Sequence, residues 1–343
     1  MRILVASAQE DFDLPLAEAA RKQVLAEAER YTCEGHDTEI LIVTGGRRGF
    51  EGDHSLPVNV VPRYALPFMS RHLRQFQRLH FFGSTGLICW LLGRMMPRAE
   101  RLLTLTDGGV FSVGRFDRWR RRLSGGVAGR YNRIYAYTEY QRECLLSRCP
   151  ESKTKLTLTR PILEPHPNYR SIARTDHPSL LYMGHLSLFK GVDIVVNVFR
   201  ELAQTCPDLT LTVAANGLGY GSDASHLIRE LQSEYGNRVI LKGKVSPLEE
   251  MSRCHVYLYP VRGHRGTFAF PLSLYESLQC GTPFLSSALP GFAEYFDADM
   301  LCEPGNVASF CSRAKEILES PQAWRRLAEN QFEGVSKRVA AAI

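Results

Sequence analysis

The sequence lacks both a long apolar run and a recognisable secretion signal. Its most apolar stretch, Phe81–Met96, is interrupted by glycine, hydroxyl and arginine residues and falls short of the ~20 residues needed to span a bilayer. The opening MRILVASAQEDFD has no basic segment followed by an apolar one, as a signal peptide would. These absences predict a cytoplasmic protein without a membrane-spanning helix.

Paired cysteines are also absent. The nine cysteines among 343 residues are scattered, and no two stand in a C-x-x-C arrangement. This excludes a disulfide framework and a zinc site built on cysteine pairs. No other cluster of metal-ligating residues stands out, so we predict no metal ion and expect most cysteines to be small buried residues.

Glycine-rich nucleotide motifs are missing as well. No G-x-G-x-x-G follows the first strand, and GLGYG at 217–221 is not followed by an acidic residue at the end of the next strand. Both facts argue against a nicotinamide-dependent dehydrogenase. The pattern G-x-x-x-x-G-K-[ST] is absent too, which argues against a P-loop phosphotransferase.

Short apolar runs alternate with helical patterns throughout, which predicts parallel strands covered by helices. The alternation restarts near residue 180, after the proline-rich stretch Pro161–Pro178, which we interpret as an interdomain linker. We therefore predict an α/β protein of two Rossmann-like domains, whose parallel sheets face a cleft that binds the ligands. Alternation alone also fits a two-domain dehydrogenase or a periplasmic binding protein. The predicted strands are Arg2–Ser7, Thr38–Thr44, Val58–Val61, Arg101–Thr106, Ile134–Thr138, Lys155–Thr159, Leu180–Met183, Leu209–Ala214, Val239–Leu241, Val256–Tyr259, Pro283–Ser286 and Met300–Cys302.

Positive charge is concentrated in the first half. Residues 1–165 carry 25 Lys and Arg against 18 Asp and Glu, whereas residues 166–343 carry 17 against 18. Within residues 60–133 there are 14 arginines and three acidic residues. This half is predicted to meet an anionic partner, and no recognisable nucleic-acid module accompanies the charge.

Two segments combine this charge with aromatic residues. FMSRHLRQFQRLHFF predicts an amphipathic helix with arginines along one face, and GRFDRWRRRLSGG groups arginines around an aromatic pair. Such segments are typical of proteins that bind anionic leaflets or anionic ligands. The candidate residues for this contact are Arg71, Arg74, Arg78, Arg118, Trp119 and Arg121.

The second half carries residues in a specific order. MGHLSLFKG (183–191) follows one predicted strand, and FAFPLSLYESLQCGTPF (268–284) and GFAE (291–294) come later. Together they resemble family 4 of the retaining glycosyltransferases, of GT-B fold (glycosyl transferases group 1). That family's pattern is G-R-L-x-x-x-K-G, then E-x-F-G-x-x-x-x-E-A-x-A-x-G-x-P-V, then G-x-x-E. The opening strand and CEGHDTEILIVT (33–44) resemble the family's acceptor domain more weakly.

The resemblance implies a domain order. Residues 1–165 would form the acceptor-binding domain and residues 166–322 the nucleotide-sugar-binding domain. The resemblance leaves open that the final helix, residues 323–343, crosses back to the first domain.

The resemblance also implies roles for single residues. Lys190 would contact the departing diphosphate, Glu276 would bind the ribose hydroxyls, and Asp107 would hold the acceptor hydroxyl; Asp107 and Lys190 are thus the catalytic candidates. The donor-binding candidates are Gly184, His185, Lys190, Arg265, Thr267, Leu272, Ser273 and Glu276.

Three positions depart from the family pattern. His185 replaces an arginine, Phe268 replaces the first glutamate of the pair, and Pro271 replaces a glycine. Phe268 cannot accept a hydrogen bond from the donor sugar, and Pro271 has no N–H to donate.

We therefore predict a retaining hexosyltransferase of glycan biosynthesis that uses a nucleoside-diphosphate sugar, with UDP favoured over GDP, and needs no metal or cofactor. The predicted acceptor is a lipid-linked or membrane-associated glycan met at the inner face of the membrane. Three alternatives remain: a transferase acting on a soluble acceptor, a catalytically degenerate scaffold subunit, and a nucleotide-sugar epimerase.

Overall fold

The computed structural model of the chain describes residues 1–9, 16–44, 56–106, 125–163, 169–215, 224–264 and 267–341. The chain divides into two compact units. The first unit comprises Met1–Leu163 together with His264–Phe270, and the second comprises Glu164–Gly263 and Pro271–Ile343. Each contains a parallel sheet with helices, which is the predicted α/β class.

The first unit has a seven-stranded parallel sheet among its described residues, in the order β3-β2-β1-β4-β5-β6-β7. Its strands are β1 Arg2–Gln9, β2 Asp37–Thr44, β3 Val58–Pro62, β4 Arg78–Gly83, β5 Glu100–Leu105, β6 Arg133–Ala136 and β7 Leu156–Leu158. Its helices are α1 Leu16–Cys33, α2 Ser70–Leu73, α3 Leu87–Met95, α4 at residues 125–130 and α5 Glu139–Arg148.

Both faces of this sheet are buried. Ile3 and Val5 of β1 belong to the cluster that includes Val24 of α1, whereas Leu4 and Ala6 belong to the core on the opposite face. Because alternate side chains of a strand point to opposite faces, a strand buried on both sides is apolar without interruption. This is why its strands read as continuous apolar runs.

The second unit has a six-stranded parallel sheet among its described residues, in the order β10-β9-β8-β11-β12-β13. Its strands are β8 Ser179–Met183, β9 Thr210–Ala214, β10 Val239–Lys242, β11 Val256–Tyr259, β12 Phe284–Ser287 and β13 Leu301–Cys302. Its helices are α6 Val192–Ala203, α7 Ser225–Tyr235, α8 Pro247–Arg253, α9 Leu272–Gln279, α10 Val307–Glu319 and α11 Pro321–Ala341.

Every predicted strand is present, but the amphipathic helix predicted from FMSRHLRQFQRLHFF is wrong. A 3-10 segment, Arg63–Met69, and the single turn α2 precede strand β4. β4 pairs with both β1 and β5, so its alternate residues His80 and Phe82 face one side while Leu79 and Phe81 face the other. A short apolar run in a fully buried strand cannot be told from one in a buried helix by its pattern alone. The arginines of this segment recur at helical spacing, so the sequence was wrongly interpreted as a helix.

The final helix, α11, groups with the second unit. Its Phe332 ring lies 5.2 Å from the ring of Tyr275 on α9, and its Ser336 hydroxyl lies 3.2 Å from the Tyr275 hydroxyl. The described part of this helix therefore packs on α9 of its own unit. The sequence had left open whether the helix crosses back to the first domain.

All nine cysteines are free thiols. Six are buried, two are half-buried, and Cys33 at the end of α1 is exposed.

Each sheet reverses its strand order at one place. In the first sheet β1 lies beside β4, and in the second β8 lies beside β11. Loops diverge from the carboxyl ends of two such neighbouring strands, and ligands of open α/β sheets bind in the crevice that this leaves. In the second unit the crevice is bounded by the loops that follow β8 and β11.

A buried ionic network ties α1 to the first sheet. Glu27 is 7% exposed; it accepts hydrogen bonds from Arg30 and lies 3.2 Å from Nδ1 of His80. Burial acts to raise the pKa of Glu27, but the bonds with His80 and Arg30 outweigh it and hold that pKa at about 2. Burial lowers the pKa of His80, and its Nε2 lies 2.7 Å from the Thr104 hydroxyl.

We expect Glu27→Ala to lower the free energy of unfolding by about 2–4 kcal/mol, because it leaves buried polar groups unpaired. Glu34→Ala is the matched control: Glu34 binds the same Arg30 but its side chain is 44% exposed, and its loss should cost under about 1 kcal/mol. Urea unfolding measures both. Since the folded pKa of Glu27 lies below 4.5, its contribution is present above about pH 4.5 and is lost as the pH falls toward 2. Equal effects of the two substitutions would contradict this account.

Candidate functional site

The loop after β8 forms the first wall of the crevice in the second unit. Gly184 has a φ of 146°, and its N–H donates to the carbonyl of Ala214 at 3.1 Å. A short 3-10 turn, Leu188–Lys190, then follows, in which the Ser187 hydroxyl accepts from the N–H of Lys190. Gly191, at φ 75°, connects this turn directly to α6. Lys190 thus stands at the N-terminus of a twelve-residue helix, where backbone N–H groups and the helix dipole favour an anion.

Gly191 is required by the neighbouring loop. A Cβ at this position would lie 2.0 Å from the carbonyl oxygen of Pro260, which follows β11. No side chain fits there, and the positive φ is also a conformation that favours glycine. The loops after β8 and β11 therefore meet with backbone against backbone.

Arg262 fastens the same two loops together. Its N–H donates to the carbonyl of Phe189 at 3.0 Å, and its Nε donates to the carbonyl of Leu188 at 3.0 Å. Its guanidinium also forms an ion pair with Asp193 in the first turn of α6. Arg262 thus links the loop that carries Lys190 to the loop after β11.

His185 lies in the same loop as a neutral side chain. Burial, and to a smaller extent the charge of Lys190, lower the pKa of His185 to about 4. Its Nε2 is buried without a hydrogen-bond partner among the described residues, and its carbonyl accepts from the Tyr182 hydroxyl. The imidazole is therefore uncharged near neutral pH, unlike the arginine that the family pattern has here.

Helix α9 carries the other donor candidates. Pro271 is its N-cap, and Leu272 and Glu276 are each 7% exposed. The half-buried Ser273 hydrogen bonds to the side chain of Tyr257 on β11. Because α9 follows β11 through a loop, its N-terminus lies at the carboxyl edge of the sheet, the edge at which Gly184 and Lys190 also lie.

The loop before α9 groups with the first unit. Ala269 donates its N–H to the carbonyl of Thr106 at 3.0 Å, and the ring of Phe268 lies 5.3 Å from that of Tyr137. Phe268 is 8% exposed and Thr267 is 1% exposed. The residue in place of the family's first glutamate is thus packed as an apolar side chain. Arg265 lies outside the described residues.

The candidate residues of the first unit fall into three groups: those outside the described residues, those exposed to solvent, and Arg78, which is paired. Asp107, Arg118, Trp119 and Arg121 lie outside the described residues. Arg71 and Arg74 are exposed around α2. Arg78 is not free for a ligand: it pairs with Glu100 at 2.7 Å and lies 5.6 Å above the ring of Tyr31.

Sequence reasoning missed two aromatic residues beside these arginines. Phe68 and Tyr64 are 86% and 70% exposed, and they share the segment with exposed Arg63, Arg71 and Arg74. Contiguous exposed apolar surface rimmed by polar residues is typical of interaction sites. We refer to Arg63–Arg74 as the 63–74 surface. The sequence pattern indicated Arg71 and Arg74 as candidates but gave no signal that Phe68 and Tyr64 are exposed.

Among the described residues, no group of three or more His, Cys, Asp and Glu is arranged to hold a metal ion.

Comparison with known proteins agrees with this arrangement. Residues 177–320 match the family described as glycosyl transferases group 1, which confirms the family resemblance. An uncharacterized glycosyltransferase of Haemophilus influenzae is 24% identical over 163 residues, covering 46% of this chain and 44% of its own. Glycogen synthase of Mycobacterium tuberculosis is 28% identical over 160 residues, covering 45% and 37%. The matches therefore span less than half the length of these curated relatives.

The whole chain resembles solved structures in fold. A crystal structure of Anabaena HepE in complex with UDP-glucose is 15% identical, with a TM-score of 0.76 over 100% of this chain and 97% of that one. This likeness confirms the predicted GT-B fold, built from two Rossmann-like units.

We expect Gly191→Ala to lower the free energy of unfolding by about 3 kcal/mol or more, because its Cβ would overlap the Pro260 carbonyl and its φ is positive. Gly243→Ala is the control, since Gly243 is exposed with no heavy atom within 4 Å of a Cβ, and it should change stability by less than about 1 kcal/mol. Urea titration of both variants gives the comparison. A stable Gly191→Ala protein would show that the two loops are not held as described.

Proposed function

We propose that this chain, whose residues 177–320 carry the group 1 glycosyl transferase match, transfers a hexose with retention from a nucleoside-diphosphate sugar to a hydroxyl group of an acceptor. The observation that carries this proposal is the loop Gly184–Gly191, which sets Lys190 at the N-terminus of α6 beside the strand-order reversal. A diphosphate needs positive charge and backbone N–H donors together, and this loop offers both.

Glu276 completes the donor assignment. A carboxylate accepts hydrogen bonds from two neighbouring hydroxyl groups, such as those of a ribose. Glu276 is a nearly buried carboxylate on α9, the helix that follows β11. We assign Glu276 to the ribose because α9 begins at the carboxyl edge of the sheet, the edge at which Lys190 also lies.

The chemical step needs a group that stabilises the departing diphosphate. Lys190 would supply that stabilisation as negative charge develops on the leaving phosphate. We propose that the acceptor attacks on the face from which the phosphate leaves, that the phosphate takes the acceptor proton, and that Asp107 orients the acceptor hydroxyl. No carboxylate nucleophile is required in this scheme, so the apolar Phe268 is compatible with it.

UDP is the favoured nucleotide. HepE, which has the same fold, was solved in complexes with UDP-glucose and with UDP. The neutral His185 supplies less positive charge than an arginine would, so Lys190 and the helix N-terminus would carry most of the phosphate contact.

The acceptor is proposed to be lipid-linked or membrane-associated, with the protein peripheral at the cytoplasmic face. The support is the 63–74 surface, in which two exposed aromatic side chains accompany three exposed arginines. Aromatic rings enter the headgroup region while each arginine near an anionic surface contributes about 1 kcal/mol. Among the described residues, no helix is long and apolar enough to cross a membrane.

For the donor site, we expect UDP to raise the melting temperature of the wild-type protein more than GDP, ADP or dTDP does. Saturation at 100 times the dissociation constant adds about 2.7 kcal/mol of stability. Lys190→Ala and Glu276→Gln should weaken the UDP effect at least about tenfold in apparent dissociation constant, since each removes a charged hydrogen-bonding group.

The controls for that panel are Lys244→Ala and Glu249→Gln, which remove exposed charges from the same unit and should leave the UDP response unchanged. If no nucleotide stabilises the wild type, the chain is a scaffold subunit and not a transferase. If product forms from UDP-sugar without any acceptor, it is an epimerase.

For the membrane contact, we expect the protein to sediment with vesicles containing phosphatidylglycerol and not with pure phosphatidylcholine vesicles. Phe68→Ser and the pair Arg71→Gln with Arg74→Gln should each reduce binding at least about tenfold, and the arginine effect should shrink with added salt. Arg133→Gln, which removes an exposed arginine outside this surface, is the control. Binding that is unaffected by these substitutions, or absent altogether, would favour the soluble-acceptor alternative.

A further inference from the structure

The guanidinium of Arg160 is buried, although the residue as a whole is half-buried, and no described residue pairs with it. Its Nε, Nη1 and Nη2 are all shielded from solvent, and none has a hydrogen-bond partner among the residues that the structure describes. For Arg101 and Arg130, by comparison, only Nε is both shielded from solvent and without a hydrogen-bond partner among the described residues. Removing a whole guanidinium from water without a partner is costly, so this position calls for an anion.

The main chain around Arg160 is held on both sides. Before it, the N–H of Thr159 donates to the carbonyl of Ala136 at 2.8 Å and extends the pairing of β7 with β6. After it, Ile162 donates its N–H to Oε1 of Gln23 at 2.7 Å and accepts from Nε2 of the same side chain at 2.7 Å. Gln23 lies on α1 and is 1% exposed. The backbone on either side of Arg160 is thus held by hydrogen bonds within the first unit.

This segment lies where a ligand of the first unit is expected. Arg160 comes two residues after β7, at the carboxyl edge of the parallel sheet, and that edge is where ligands of such sheets bind. An arginine presents a planar fork of N–H donors that matches two oxygens of one phosphate. A lysine or a helix N-terminus can also bind a phosphate, but neither offers this planar pair of donors. No described carboxylate is bound to the Arg160 guanidinium.

We propose that Arg160 binds a phosphate group of a substrate, and that this phosphate belongs to the acceptor. The assignment to the acceptor rests on the proposed function, whereas the phosphate site itself does not. The diphosphate of the donor is the other possible source of the same chemistry, and the experiment below separates the two.

The first arm measures thermal stabilisation of the full chain by inorganic pyrophosphate, in a Lys190→Ala background that removes the donor-phosphate contact. We expect pyrophosphate to stabilise this protein. Adding Arg160→Met should then raise the apparent dissociation constant at least about tenfold, since a charged bidentate contact is lost. Adding Arg133→Met, which removes an exposed arginine of the same unit, should leave it within about twofold.

Two further readouts distinguish a ligand site from a structural arginine. Without ligand, Arg160→Met should melt at the same or a higher temperature than the wild type, because an unpaired buried charge is removed; a lower melting temperature would count against the proposal. Arg160→Lys keeps the charge without the fork and should bind pyrophosphate with intermediate affinity. It also serves as the test variant if the methionine variant does not fold.

The second arm compares UDP binding by the wild type and by Arg160→Met alone. Equal UDP stabilisation supports an acceptor phosphate, whereas its loss would assign Arg160 to the donor and overturn the acceptor assignment. A pyrophosphate response that is absent from Lys190→Ala, or unaffected by Arg160→Met, would overturn the site itself. Failure of the proposed function gives a different result, in which no nucleotide binds the wild type while the pyrophosphate response still depends on Arg160.

Discussion

The close approach of Gly191 to the carbonyl of Pro260 is the constraint on which the second unit's candidate site depends. A parallel sheet that reverses its strand order leaves a crevice between two diverging loops, and without further contacts that crevice would be wide and solvated. Here a glycine in the left-handed region lets the two loops touch, and Arg262 then bonds across them. These contacts hold the two loops together, and they fix the position of Lys190 and of the N-terminus of α6 at the edge of the crevice.

In this crevice, burial decides which of the titratable side chains in the loop Gly184–Gly191 carries a charge. The side chain nearest to Lys190 along the loop that could also carry charge, His185, is kept neutral by burial and by the lysine itself. The described loop Gly184–Gly191 thus combines the charged Lys190 at the N-terminus of α6 with an uncharged imidazole. The first unit contains the opposite case, since Glu27 stays ionised when buried because His80 and Arg30 bond to it. Whether a buried group keeps its charge depends on the partners that the fold provides.

Much of the fold could be predicted from the sequence because its strands are buried on both faces and read as uninterrupted apolar runs. Strand β4 was not predicted, because the preceding segment FMSRHLRQ combines apolar and basic residues at helical spacing and indicated a helix instead. The loop Gly184–Gly191 was singled out in the sequence because its glycines and lysine resemble the family pattern G-R-L-x-x-x-K-G. The sequence could not predict that Phe268 packs on Tyr137 or that the Arg160 guanidinium is buried. Both features depend on which distant segments the fold brings together. The sequence does not distinguish Arg160 from other arginines; the structure does, because its guanidinium nitrogens are buried and no described residue binds them.

The distribution of thiols has a practical consequence for work on this protein. Six of the nine cysteines are buried, and burial raises the pKa of the thiols of Cys280 and Cys302 to about 11 and of Cys311 to about 12. Such thiols stay protonated and shielded under mild alkaline conditions, and the thiolate is the form that reacts. Cys33 is exposed at the last position of α1. A maleimide dye or spin label should therefore attach there first, giving the native chain a spectroscopic handle on its first unit without any substitution.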